Sequence, residues 1–256
     1  MKVVLAPDKF KGCLSAAEVA AAMASGLRRV DPSFAIDLCP VADGGEGTVA
    51  ALVAATGGRL ETRRVTGPLP DMQVDATFGI LGEGSREGSG FGVQGSANAP
   101  TASGAHASSS LNPEPRTLNP PEPLTPNPLV AVIEMSAASG LALLAPLDRD
   151  PMRTTTYGTG QLLLEAARLG AQTIILGIGG SATVDGGIGC AQAAGLPVIL
   201  EDQGPADPHE PLVGEDLRRV VLVKHGRGSP LDRINITVAC DVTNPLFGFT
   251  GAAKIF

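Results

Sequence analysis

The sequence predicts an α/β fold with a largely parallel sheet. Short runs of Val, Ile and Leu alternate with segments of helical periodicity, the order that builds βα units. Several of these runs are followed at once by loops of Asp, Gly and small hydroxyl residues. Open α/β sheets bind their ligands at that position. The chain is 43% hydrophobic and lacks Trp, so its core must be aliphatic. Its 256 residues suit one large or two modest domains and can bury a sizeable core.

The elements follow in order. Val3-Val4-Leu5 reads as a short buried strand and residues 7–12 as a loop. Ser15, with Glu18 three residues on, is a capping box opening a helix whose Val19, Met23, Leu27 and Val30 share one face. Residues 35–41 read as a second strand and residues 43–47 as its loop. A short helix runs from Thr48 to Ala55 and stops at Gly57-Gly58. Residues 63–81 read as antiparallel strands about a Gly67-Pro68 turn. Val130 to Ile133 is a strand, Thr159 to Leu169 a helix ended by Gly170, and Thr173 to Leu176 a buried strand. Ala191 to Ala194 reads as helical; Val198 to Leu200, Arg219 to Val223 and Ile236 to Ala239 read as extended.

Residues 82–128 differ in kind. They are rich in Gly, Ser, Asn and Pro, with Leu111-Asn112-Pro113-Glu114-Pro115 echoed by Leu118-Asn119-Pro120-Pro121-Glu122-Pro123. So little apolar surface cannot offset the entropy of ordering, and the segment reads as a disordered insertion. A proline-rich ligand for a recognition domain is the alternative. The expected organisation is thus residues 1–66 as the N-terminal part of an α/β domain, residues 67–81 with 129–256 as a second α/β domain, and 82–128 as the insertion.

Composition also excludes classes. A net charge of −7 gives no footprint for nucleic acid. No apolar run reaches the ~18 residues of a membrane span. Strand-like sequence begins directly after Met1, leaving no room for a targeting peptide, and a cytoplasmic protein is expected. Cys13, Cys39, Cys190 and Cys240 are widely spaced with no CxxC pair and read as buried, reduced thiols. His106, His209 and His225 lie in polar or Gly/Pro-rich stretches and suggest neither metal site nor triad.

Four loops carry the chemistry. They contain Asp8 and Lys9; Asp43, Gly44, Gly45 and Glu46; Gly179, Gly180, Ser181, Thr183, Asp185 and Gly186; and Asp241 with Asn244. Glycines let backbone N–H groups approach a phosphate, and a helix N-terminus adds a favourable dipole. Ser181 and Thr183 offer hydroxyls. Magnesium takes oxygen ligands, for which Asp43, Asp185 and Asp241 are candidates. Phosphoryl transfer also needs a cation, here Lys9 or Lys11, and a residue to orient the attacking hydroxyl, for which Asp185 is the first candidate. No Walker loop is present. A competing pattern, G-x-G-x-x-A over residues 177–182 with Glu201 and Asp202 about 20 residues on, has the layout of a dinucleotide fingerprint.

Taken together, these stretches resemble the bacterial-type glycerate kinase family. The matching segments are Ala6-Pro7-Asp8, Phe10-Lys11-Gly12, Leu14-Ser15-Ala16, residues 40–48 and Val65 to Leu69. Further on come Ile133-Glu134-Met135, Ala137 to Leu141, Gly158-Thr159-Gly160, Gly177 to Thr183, Asp185-Gly186-Gly187 and Ala239 to Leu246. The resemblance implies a two-domain α/β enzyme that phosphorylates D-glycerate, to 2-phosphoglycerate in this branch, with ATP and magnesium. Asp185 or Asp43 would then orient the glycerate hydroxyl while a lysine stabilises developing charge. Three departures stand out. Val184 replaces a common Asn, and Lys9 replaces a common Ser. The family pattern also runs on past Phe256, so the chain reads as the N-terminal two-thirds of a family member. A truncated, non-catalytic product is the alternative that follows.

Overall fold

The structure, a computed structural model, describes residues 1–10, 13–42, 45–82, 128–224, 228–240, 242, 244–245, 248–249 and 251. The expected insertion therefore lies, but for its two end residues, outside the described residues.

The chain opens with a βαβ unit. β1 (Lys2–Leu5) and β2 (Ala35–Leu38) pair in parallel, and α1 (Ala16–Val30) connects them. The capping box forms as expected: Glu18 N donates to Ser15 Oγ at 3.3 Å and Ser15 N donates to Glu18 Oε2 at 2.8 Å. It satisfies amides that the helix itself cannot. Val19, Ala20 and Ala24 are buried, whereas Met23 and Val30 are exposed, because a two-stranded sheet covers only part of the helix. β2 is shorter than the run 35–41, since Pro40 has no N–H to give a ladder. Cys39 N and Val41 N still donate to the Leu5 and Pro7 carbonyls, at 2.8 and 3.0 Å, so the two extended runs stay together.

α2 (Thr48–Thr56) leaves this unit and packs on a five-stranded sheet of order β10-β6-β5-β4-β3. β3 (Arg59–Thr66) and β4 (Gln73–Ile80) form the expected antiparallel hairpin, closed by Gly67 N donating to Met72 O at 2.8 Å. β4 pairs antiparallel with β5 (Leu129–Glu134); β5, β6 (Ala171–Gly177) and β10 (Asn235–Ala239) are mutually parallel. The boundary expected at 66/67 thus falls inside a hairpin of one sheet. The break between sheets comes instead between β2 and α2, because Val49 and Val53 of α2 pack on Val132 of β5.

The core is mainly aliphatic, with Phe78 among its buried side chains. Phe78, Ile133, Ile174 and Leu162 have no solvent exposure. Each such side chain contributes about 1.5–3 kcal/mol on burial. Leu162, Leu163 and Ala166 come from α4 (Tyr157–Arg168), the helix that covers one face of the sheet. α4 begins two residues before the expected Thr159. Its Gly160 permits contact with α5 (Ile188–Ala193): a Cβ there would lie 2.4 Å from the Cys190 carbonyl oxygen. β7 (Val198–Leu200), β8 (Gly204–Pro205) and β9 (Val220–Val223) form a separate antiparallel sheet. That arrangement removes the dinucleotide reading. The strand carrying Glu201 and Asp202 at its end is not in the parallel sheet, the next helix starts only at Ile188, and Asp202 pairs with Arg219 at 3.0 Å. Among the described residues no helix is long and apolar enough to cross a membrane.

Candidate functional site

The carboxyl ends of β5, β6 and β10 lie side by side. Glu134 stands opposite Gly177, and Gly177 opposite Ala239. The next residues keep the register: Met135 N donates to Gly177 O at 2.8 Å and Ile178 N to Ala239 O at 3.3 Å. The glycine-rich loop after β6 then folds over α3 (Ser136–Ser139), the single turn that follows β5. Leu141 N donates to Gly180 O and Ala182 N to Ser139 O, each at 2.9 Å. Gly180 has φ +74, a backbone state that side chains rarely adopt, and is exposed; Gly179 beside it is partly exposed.

The hydroxyls of this loop fasten it. Ser181 Oγ donates to the Thr183 carbonyl at 3.0 Å and accepts from Thr183 N at 3.1 Å. Thr183 Oγ1 donates to the Thr154 carbonyl at 3.0 Å and accepts from Asp185 N at 3.1 Å. Asp185, expected to orient a hydroxyl or to bind metal, is engaged here by backbone and hydroxyl donors. It is 1% exposed. Its Oδ2 accepts from Thr156 N at 2.8 Å, Thr156 Oγ1 at 2.7 Å and Gly189 N at 3.2 Å, and its Oδ1 accepts from Gly187 N at 3.0 Å. The charge thus faces the first turns of both α4 and α5, where helix dipoles favour an anion. Through these bonds Asp185 ties the glycine-rich loop to two helix starts. Gly186, at φ +61, is exposed in the turn just after it.

The partners of Asp185 were not apparent from the sequence. Thr154, Thr155 and Thr156 are at most 4% exposed. Their hydroxyls donate to the Ala182 carbonyl at 3.0 Å, the Leu212 carbonyl at 2.6 Å and Asp185. Three consecutive threonines before a helix are the available signal, since β-branched hydroxyls in a buried turn must find acceptors. Cys190 completes this region. Burial pushes its thiol up to about 12, and the nearby Asp185 charge adds to the effect. Cys13, Cys39 and Cys240 are exposed rather than buried as expected, because they sit in loops and in the run just beyond β2; none of the four is in a disulfide.

A second cluster joins the N-terminal unit to the sheet. Lys9 Nζ donates to the Glu46 carbonyl at 2.6 Å, and Lys9 N donates to Asp8 Oδ1 at 2.7 Å. The Gly45 carbonyl accepts from Thr48 Oγ1 at 2.7 Å at the start of α2. Glu134 Oε1 accepts from Val49 N at 2.8 Å, and Gly47 N lies near enough to the carboxylate to favour its charged form. Burial raises the Glu134 pKa against the opposing pull of these two N–H groups, with the Glu46 charge raising it further and Lys9 lowering it. Glu134 is 9% exposed. Its signal in the sequence is one acid closing the apolar run Leu129 to Ile133.

Asp8, Glu46 and Asn244 are exposed near the loop ends. Lys11, Asp43, Gly44 and Asp241 lie outside the described residues. Among the described residues no group of three or more His, Cys, Asp or Glu side chains is placed to hold a metal ion.

Comparison with known proteins decides the lineage. The model of the glycerate kinase family matches residues 3–256. The chain belongs to the glycerate kinase family. It is 40% identical to a glycerate kinase of Haemophilus influenzae, over 100% of this chain and 55% of that protein. It is also 40% identical to the glycerate 2-kinase of Escherichia coli, again over 100% of this chain and 55% of that protein. The crystal structure of a protein assigned as glycerate kinase 2 from Salmonella typhimurium LT2 superposes with a TM-score of 0.72 at 37% identity, covering 100% of this chain and 56% of that one. The chain therefore spans a little over half the length of these glycerate kinase relatives, less than the two-thirds expected. Asp185, Glu134 and the loop 177–183 all fall within the span that matches the family.

Proposed function

We propose that this protein phosphorylates D-glycerate with ATP, releasing ADP and 2-phosphoglycerate. One observation carries the reading: in a chain matched throughout to glycerate kinases, the loops after β5, β6 and β10 share one sheet edge, and Glu134 brings Lys9 and Glu46 to it. In this reading the backbone of Gly179 and Gly180 cradles phosphate and Lys9 offsets charge developing on the transferred group. Asp185 holds the loop and takes no part in proton transfer. The described residues do not form a magnesium cage. Magnesium would enter with the nucleotide phosphates, which usually supply several of its ligands. Asp43 and Asp241, from the loops after β2 and β10, are the proposed protein carboxylates, with Lys11, Gly44 and Asn244 as further phosphate contacts.

The test is ADP release with D-glycerate and Mg-ATP, read beside an enolase-coupled assay. Enolase consumes 2-phosphoglycerate directly, so a coupled signal without added mutase identifies the 2-hydroxyl as acceptor. No glycerate-dependent ADP would sink the proposal. A second reading is binding without turnover: Asp185, the first catalytic candidate, already accepts from four protein donors. Thermal stabilisation by Mg-ATP with no ADP release would select it.

A further inference from the structure

The start of α2 has no cap of its own. Its N-cap is Gly47, at φ +100, with no side-chain hydrogen bond, and its first turn contains no acidic residue. Helix N-termini present orphan N–H groups and a positive dipole end, both of which call for an acceptor. That acceptor is Glu134, 85 residues away in sequence and anchored at the end of β5 opposite Gly177. The same turn carries the Glu46 carbonyl that receives the Lys9 ammonium. Lys9 belongs to the βαβ unit, Glu46 to the connection and Glu134 to the large sheet.

We infer that Glu134 is a positioning residue that sets the place of Lys9 through the Glu46–Val49 turn. Its carboxylate fixes the Val49 amide, the fixed turn aims the Glu46 carbonyl, and that carbonyl holds the ammonium at the carboxyl end of the sheet. Positioning a charge in this way matters for phosphoryl transfer because the stabilising group must be in place before charge develops. The inference deepens the proposed kinase reading, yet its first measurement does not depend on turnover.

The experiment compares wild type with Glu134→Ala, Glu134→Gln and Glu134→Asp by reductive methylation and peptide mapping. The rate at Lys9 is taken relative to Lys2, an exposed lysine of β1 paired with Asp37. In wild type Lys9 is expected to react about fivefold more slowly than Lys2, the effect of one hydrogen bond. Glu134→Ala should raise the Lys9 rate relative to Lys2 by about twofold or more, and Glu134→Gln, which keeps an acceptor for the turn, should restore most of the protection. A merely structural role would lower the melting temperature of Glu134→Ala and leave the Lys9 ratio unchanged. That result overturns the inference. If Glu134→Ala does not fold, Glu134→Asp decides, since a carboxylate withdrawn by one methylene should free Lys9 in part. Where ADP release is measurable, Glu134→Ala should lower kcat about tenfold or more with the KM for D-glycerate within about threefold, the mark of an interaction made in the transition state. Loss confined to KM counts against it. A wild-type chain that releases no ADP refutes the kinase proposal and leaves the labelling result to stand or fall by itself.

Discussion

Replacing Asp185 by Asn separates a fastening role from a catalytic one. The amide oxygen can take the place of Oδ2 and keep the bonds from Thr156 N, Thr156 Oγ1 and Gly189 N. The amide NH2 then faces Gly187 N–H, donor against donor, where Oδ1 accepted at 3.0 Å. Hydrogen bonds to charged groups contribute about 1.5–3 kcal/mol, and a buried donor left unmatched costs about 1–3 kcal/mol. Gly187 is partly exposed, so water recovers some of this. The expected loss is about 2–4 kcal/mol, a large share of a total stability of about 5–15 kcal/mol. Urea unfolding followed by circular dichroism should show a lower midpoint with an unchanged slope, and the melting temperature should fall by about 10 °C. A variant with wild-type stability that has lost only glycerate-dependent ADP release would refute the reasoning and return Asp185 to the chemistry.

Three further outcomes are expected. Gly189→Ala places a Cβ 2.2 Å from Thr155 Oγ1 and 2.8 Å from Tyr157 N, so it should cost about 1–3 kcal/mol in urea unfolding, as overpacking does. Mass spectrometry after iodoacetamide treatment at neutral pH should find the exposed Cys13, Cys39 and Cys240 alkylated and Cys190 spared until the chain is unfolded, because burial holds the Cys190 thiol up to about 12. The Glu134 carboxyl lies above its ordinary range when folded, so its stabilising contribution is full below the unfolded pKa of about 4.3 and is lost as pH rises through the folded value. Glu134→Gln does not titrate there, so its melting temperature relative to wild type should rise from about pH 4 to about pH 7; a flat or falling difference contradicts the assignment.

Local signals in this sequence proved reliable where the cause is local. The Ser15–Glu18 box, the Gly57 stop and the turn at Gly67 depend on residues within one turn of each other, and each appears where expected. Asp185 shows the limit. An Asp among glycines suggests a ligand, and its burial cannot be seen until the 154–156 threonines, 29 residues earlier, fold against it. Glu134 was visible as a matching residue, yet its task depends on pairing with a helix start 85 residues away. The place of the 59–80 hairpin was hidden for a related reason. The hairpin 59–80 reads equally well as the end of one domain or the start of another until β4 pairs with β5.

The remote cap of α2 also bears on the order in which the chain folds. An isolated nine-residue helix is marginal in water, and this one has no side-chain cap at Gly47 and no acid in its first turn. Its completion waits for β5 to reach the sheet, a contact of high sequence separation. The β5–β6 pairing and the packing of α4 on it are made without α2. Destabilising changes in the first turn of α2 should therefore speed unfolding far more than they slow folding. In kinetic terms, the seam between the β1–β2 sheet and the five-stranded sheet should close late and open early.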